Sequence, residues 1–172
     1  MPKVSSKENK NPYFQRREEL KLTREQASEL LDTISPERIE EIENERVEPH
    51  PEEIMIMAEK YKSPELCNYY CSHQCPIGQQ YVPEIEIKDM SQIILKMLAS
   101  LNEVQDKQKR LISITADGII DEDEIADFVY IQDELEKISI FVETLQLWVE
   151  QMLANGTIDM EKYEAYRAKC KK

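Results

Sequence analysis

The sequence predicts an all-α protein, and three observations carry that reading. Apolar residues recur at spacings of three and four through most of the 172-residue chain. There are only 3 glycines, and the densest cluster of turn-forming residues falls between two helical patterns. With 41% hydrophobic and 33% charged residues, the chain has enough apolar content and length to bury a real core. The expected organisation is a lysine-bearing arm over residues 1–10, a five-helix domain over 11–71, a linker over 72–89 and a helical association domain over 90–172. That last domain is expected to be an antiparallel helical hairpin followed by a short terminal helix.

In chain order, the first helix is expected to start at Asn11-Pro12 and reach about Lys21, with Tyr13, Phe14 and Leu20 available for a core. The second spans about 24–31 and the third about 36–44. Leu22, Ala27, Leu30, Leu31, Ile34, Ile39 and Ile42 fall on inward positions, with polar residues between them. Thr23 and Ser35 each precede a helix start, where a side-chain oxygen accepts from a free backbone N–H. Pro36 takes the first helical position, where its missing N–H costs nothing. Helix four runs from Pro51 to Tyr61 with Ile54, Met55, Met57, Ala58 and Tyr61 on its apolar face, and a fifth starts near Pro64 with Leu66, Cys67, Tyr69 and Tyr70. Residues 72–89 hold Pro76, Gly78 and Pro83 and read as a linker containing a short alternating run, Val82 to Ile87.

Beyond the linker, Ile93, Ile94, Met97, Leu98, Leu101, Val104, Leu111 and Ile112 form one stripe. Ile125, Phe128, Val129, Ile131, Leu135, Ile138, Phe141, Leu145, Trp148, Met152 and Leu153 form a second. The second helix, expected over 122–154, would be about 50 Å long. Its apolar face needs more cover than the terminal helix at 159–170 supplies, so a homodimer through the C-terminal helices is expected.

Residues 22–49, LTREQASELLDTISPERIEEIENERVEP, therefore read as two short helices and a tight turn, the layout of a DNA-reading helix-turn-helix. The stretch resembles the phage-repressor-like (Cro/CI, or XRE) helix-turn-helix regulators. The resemblance is carried by LTREQASELL and ISPERIEEIENERVEP, including the Ile42-Glu43 pair and Pro49 after Arg46. HPEEIMIMAEKY is similar to that family's next helix, and the likeness covers roughly residues 11–70. Two departures stand out: Asp32-Thr33 replaces the family's usual glycine in a turn one residue longer, and the reading helix is acidic. The resemblance implies that Thr23 and Arg24 meet phosphates and that Ser35, Glu37, Arg38 and Glu41 face base edges. It also implies that Asn44 and Arg46 contact the backbone of double-stranded DNA, and that Glu43 braces helix two. Arg38 could then bond guanine and a glutamate could accept from a cytosine amino group.

Charge pulls the other way. The formal net charge is −13, whereas non-specific DNA affinity comes from Lys and Arg. Lys3, Lys7, Lys10, Arg16, Arg17, Lys21 and Arg24 crowd the arm and first two helices, while Glu37, Glu40, Glu41, Glu43, Glu45 and Glu48 crowd the third helix and its exit. Two function classes follow: a dimeric, sequence-specific DNA-binding transcriptional regulator, or an adaptor presenting an acidic repressor-like helical domain to a basic protein partner. With no secretory signal, no apolar run near the roughly 20 residues of a membrane span and no sign of an oxidising compartment, a cytoplasmic, membrane-free setting is expected. No catalytic constellation emerges: the histidines are His50 and His73 alone, and there is no glycine-rich phosphate loop.

Two further motifs have candidate chemistry. Cys67, Cys71, His73 and Cys75 could supply zinc with soft ligands if the helix ends near Cys71 and the chain folds back before Pro76; a Cys71–Cys75 disulfide is a lesser alternative, and otherwise Cys67 and Cys71 are small buried apolar residues while His73 and Cys75 lie on a surface loop. Ser113 to Glu124 imitates part of a calcium-binding loop, with Gly118 sixth and Glu124 twelfth, but Ser113 and Thr115 replace the first two carboxylates. Its echo at Asn155-Gly156-Thr-Ile158-Asp159 favours a structural device instead: a left-handed glycine ending one helix and an aspartate capping the next.

Overall fold

The computed structural model describes residues 11–85, 90–116 and 118–170. The basic arm at 1–10, linker positions 86–89, Asp117 of the calcium-like loop and the last two lysines lie outside the described residues. Among the described residues there are helices and no strands, in the order α1 Pro12–Glu19, α2 Arg24–Leu31, α3 Pro36–Glu43, α4 Pro51–Lys60, α5 Glu65–His73, α6 Gly78–Tyr81, α7 Met90–Ile114, α8 Ile125–Ala154 and α9 Met160–Cys170. No helix among them is long and apolar enough to cross a membrane.

The chain divides into two compact units: Met1–Glu84 with Glu150–Lys172, and Ile85–Val149. The division differs from the expected 11–71, 72–89 and 90–172. The expected linker is partly helical, since α5 continues to His73 and α6 follows at Gly78. The close approach of α6 needs a glycine: a Cβ at Gly78 would strike the backbone carbonyl of Cys71.

The core of the first unit gathers Tyr13, Ala27, Leu31, Ile34, Ile39, Ile42, Ile54, Met57, Ala58, Tyr61 and Leu66, with Leu22 packed against it. Leu20, Leu30 and Met55, expected inside, are exposed. α1 and α2 are each only two turns long, so a single inward stripe fits and Leu20 and Leu30 fall off it. Polar groups lock the helix ends. Asn11 caps α1 by accepting from the Phe14 N–H and donates to the Ile42 carbonyl at 2.8 Å, joining α1 to the end of α3. Arg16 donates to the Tyr61 carbonyl at the end of α4.

The ends of α1, α3 and α4 turn left-handed without glycine. Lys21, Glu45 and Lys62 take positive φ after α1, α3 and α4. The amide after each reaches five residues back: Leu22 to Arg17, Arg46 to Glu41, and Ser63 to Ala58. These are left-handed helix ends in which ordinary side chains accept a conformation glycine adopts more cheaply. The α2–α3 turn is tighter. Asp32 has φ 64° and ψ −45°, and the Thr33 N–H donates to the Leu31 carbonyl at 2.7 Å across it. This is a positive-φ γ-turn, a rare and strained conformation for a residue with a Cβ.

In the second unit, α7 and the facing part of α8 are antiparallel. Arg110 pairs with Asp127 at 2.8 Å, the Tyr130 hydroxyl donates to Glu103 at 2.9 Å, and Ser100 bonds Glu134. Ile93, Ile114, Ile131 and Leu147 are buried. Of the calcium-like loop, Gly118 has φ 75°, while Glu124 accepts from the Asp121 N–H and lies 3.6 Å from Arg110. In the C-terminal stretch of the first unit, Gly156 repeats the left-handed φ and Asp159 caps α9 by accepting from the Lys162 N–H. The helix-ending device is complete at Gly156–Asp159, whereas after Gly118 the Asp121 backbone N–H donates to the Glu124 side chain.

Asp32→Gly removes the Cβ from the strained turn and is expected to stabilise the first unit by about 1 kcal/mol, strain relief exceeding the added chain entropy of glycine. Slower amide exchange at Ile39 and Ile42 would register it; unchanged or faster exchange would show that the turn carries no strain.

Candidate nucleic-acid interface

The third helix is held by charge as well as by its apolar face. Arg17 and Glu43 are both buried, each 4% exposed. Arg17 Nε donates to Glu43 Oε1 at 2.5 Å and Nη2 to Oε2 at 3.1 Å, while Nη1 reaches the Leu22 carbonyl and Glu18. Burial opposes the Arg17 charge, but the Glu43 hydrogen bond and charge outweigh it, so the guanidinium pKa is raised. Arg24 Nε donates to Glu43 Oε2 at 2.9 Å. Glu43 therefore ties α3 to α1 and α2 together, a wider brace than the contact to helix two that the sequence implied.

Capping fixes both helix starts. Thr23 Oγ1 accepts from the Gln26 N–H and Gln26 returns the bond to the Thr23 N–H. Ser35 Oγ accepts from the Arg38 N–H and Pro36 follows at the first helical position. Ile39 and Ile42 point into the core, leaving Glu37, Glu40, Glu41 and Asn44 toward the outside of α3.

The cations assigned to DNA are largely engaged within the chain. Arg38, expected at a base edge, instead clamps α4: Nε and Nη2 donate to the two Glu53 oxygens at 2.8 Å each, and Nη2 also reaches the Glu48 carbonyl. The reason is positional, because Glu53 is turned inward in α4's own capping box, where it accepts from the His50 N–H. Arg24 contacts Glu43 and lies 3.5 Å from Glu40. Arg46 is 65% exposed, 3.6 Å from Glu40, and Asn44 donates to the Glu40 carbonyl at the end of α3. Of the expected reading set, Glu37, Glu41, Asn44 and Arg46 remain outward-facing, with Thr23 and Ser35 at exposed helix starts.

Beside the α3 exit lies a cleft of about 460 Å³ that includes Arg46, Tyr69, His73 and Gln74. His73 stacks on Tyr69 with ring centroids 4.5 Å apart, and Tyr69 meets Tyr13 edge-on. The zinc reading required the chain to turn back at Cys71. Because α5 runs on to His73, it does not, and among the described residues no three His, Cys, Asp or Glu side chains are grouped to hold a metal ion. Cys67 and Cys71 are half-buried and burial pushes both thiols up, away from the thiolate that binds metal. Cys75 Sγ accepts from the Gly78 N–H.

Residues 15–66 match the family model described as Helix-turn-helix. That segment is thus a repressor-like (Cro/CI, XRE) helix-turn-helix, which supports a DNA-binding transcription regulator in general terms. The remainder of the chain lies outside the match. No curated protein and no solved structure matches the chain.

The Arg38–Glu53 clamp has a pH signature. The Arg38 hydrogen bonds hold Glu53 below its ordinary value of 4.5. Its stabilising contribution is therefore fully present above that value and is lost as pH falls through the lowered folded value. Arg38→Ala should cost the first unit about 1–2 kcal/mol at neutral pH, on the scale of a charge-assisted pair that water still reaches. In denaturation series across pH, the gap between variant and wild type should close as pH falls below the ordinary Glu value of 4.5; a gap independent of pH would exclude the ion pair as its origin.

Proposed function

We propose that the protein is a sequence-specific DNA-binding transcriptional regulator of the cytoplasm that acts on an operator as a dimer. The observation that carries the reading is the capped α2–turn–α3 unit, cross-braced through Glu43, in a segment that matches the helix-turn-helix family. In a repressor-like docking, α3 enters the major groove while the exposed starts of α2 and α3 approach phosphates. Glu37 and Glu41 can only accept hydrogen bonds, so they select exposed amino groups, cytosine N4 above all. Arg46, the most exposed of the assigned cations, contacts the backbone. Two copies would set half-sites about one helical turn, roughly 34 Å, apart.

Because Arg24 and Arg38 are neutralised by the chain's own carboxylates, few phosphates are matched by free cations among the described residues. The salt dependence of binding should be shallow, with a log–log slope of about −2 to −4 for two to four neutralised phosphates.

That same engagement of Arg24 and Arg38 favours a second reading, in which the acidic outer face of α3 captures a basic protein and DNA binding is negligible. Selection from random-sequence duplex DNA at two salt concentrations separates the two. Enrichment of a palindromic or direct-repeat motif, weaker at high salt, supports the regulator. Under that reading Glu37→Lys and Glu41→Lys alter the selected motif, and Arg46→Ala weakens binding to all sequences alike. Absence of enrichment at low salt would sink the regulator and turn attention to a basic partner, whose capture the same lysine variants should abolish.

A further inference from the structure

One carboxylate on the outer side of α3 faces two of the cations assigned to DNA. Glu40 Oε2 lies 3.5 Å from Arg24 Nη1 at the start of α2, and Glu40 Oε1 lies 3.6 Å from Arg46 Nη1 beyond the end of α3. Each oxygen meets a different guanidinium, so Glu40 stands between the two arginines as a phosphate group would.

Other parts of the chain bring both arginines to that place. Arg24 is anchored from behind, since its Nε donates to the buried Glu43 at 2.9 Å while its Nη1 faces Glu40. Arg46 is returned by the backbone. On a continuing helix, a residue six positions on would stand about a third of a turn round from Glu40. Instead Glu45 takes φ 55°, and the Arg46 N–H donates back to the Glu41 carbonyl at 2.9 Å.

The two contacts of Glu40 are loose compared with the ion pairs that brace the unit. Charge-assisted hydrogen bonds run at about 2.7–2.9 Å, and Arg38–Glu53 and Arg24–Glu43 fall in that range. Glu40 lies beyond it from both partners, with its side chain 43% exposed. Pairs that water reaches contribute little to stability. The structural bond at this position is made by the Glu40 backbone carbonyl, which accepts from Asn44. A DNA phosphate, able to approach both arginines at hydrogen-bonding distance, can therefore displace the carboxylate, but it must compete with a negative charge already in position.

We infer that Glu40 regulates the proposed DNA contact: it holds Arg24 and Arg46 in the free protein and is exchanged for a backbone phosphate on binding. The inference rests on the DNA reading and goes beyond it by naming the group that phosphate displaces. Such a competitor weakens binding to every duplex alike, because phosphates carry no sequence information. Glu40 thus sets the absolute affinity, and the choice of sequence stays with the base contacts of α3.

The test measures binding of the full chain to the most enriched duplex and to a random-sequence duplex, by fluorescence anisotropy at two salt concentrations. Glu40→Gln keeps the shape of the side chain and removes its charge, so helicity and melting temperature should not change. It should bind both duplexes about threefold to tenfold more tightly, on the scale of two exposed ion pairs and one carboxylate–phosphate repulsion. The log–log salt slope should steepen by about one, and the enriched motif should stay the same. Arg46→Ala separates release of an arginine from simple loss of negative charge: in that background the gain from Glu40→Gln should fall to roughly half or less. An equal gain with and without Arg46 would overturn the inference. So would unchanged or weaker binding by Glu40→Gln, or an altered motif, which would make Glu40 a base-reading residue. Motif enrichment with independent effects of the two substitutions fails this inference alone. Tightening that depends on Arg46, with no motif enriched, fails the operator reading alone. No binding of either duplex by wild type or Glu40→Gln at low salt fails both.

Discussion

Glu43 sits where three helices meet, and most of the first unit's order follows from its carboxylate. Desolvating a charge is costly, and removing one member of a buried pair leaves the other stranded at a cost of several kcal/mol. Here the carboxylate receives Arg17 through two hydrogen bonds and Arg24 through a third. Arg17 is itself completed by the Leu22 carbonyl, so the cluster also fixes where α1 ends and the chain turns into α2. Apolar packing of Ile39 and Ile42 would hold α3 against the core with freedom to slide along its axis. A directional ion pair of this geometry permits one axial position, and with it one placement of Glu37 and Glu41 in space.

That arrangement shapes the chemistry of the outer face. Cations that could have met phosphates are used to orient the scaffold: Arg24 toward Glu43, Arg38 toward Glu53, Arg16 toward the Tyr61 carbonyl. What α3 offers outward is mostly hydrogen-bond acceptors. Acceptors discriminate among bases, because amino groups occupy defined places on base edges, but they contribute nothing to general attraction for a polyanion.

The helix-turn-helix was legible because its signals are local: Thr23 and Ser35 as caps, Pro36 behind the second, and Leu31, Ile34, Ile39 and Ile42 at inward spacing. Glu43 could be set apart from the reading glutamates for the same reason, since it sits next to Ile42 on the inner face. Arg38 could not be placed, because its partner Glu53 is fifteen residues away and is oriented by the α4 start. The left-handed helix ends were hidden for another reason. Lys21, Glu45 and Lys62 have positive φ, a conformation that glycine would have announced and these residues do not; the turn at Asp32 was legible from its place between two helices, but its strain was not. The cysteine cluster turned on whether α5 ends at Cys71 or His73. Spacing could pose that question but not answer it, because tertiary packing through Gly78 sets the local path.

The two units handle charge in different ways. In the first, ions are brought inside: Arg17, Arg24 and Glu43 fix where the short α3 lies against α1 and α2. In the second they stay nearer the surface, where Arg110 meets Asp127 and Glu124 between α7 and α8, and Lys137 pairs with Asp133 and Glu134 along α8. A pair that water reaches contributes little to stability, so the hairpin relies on its seam, where Ile93, Ile114 and Ile131 are buried. Helices α1 to α5 of the first unit are only two to three turns long, and they take from directional charge the placement that the longer helices of the second take from the length of their contact.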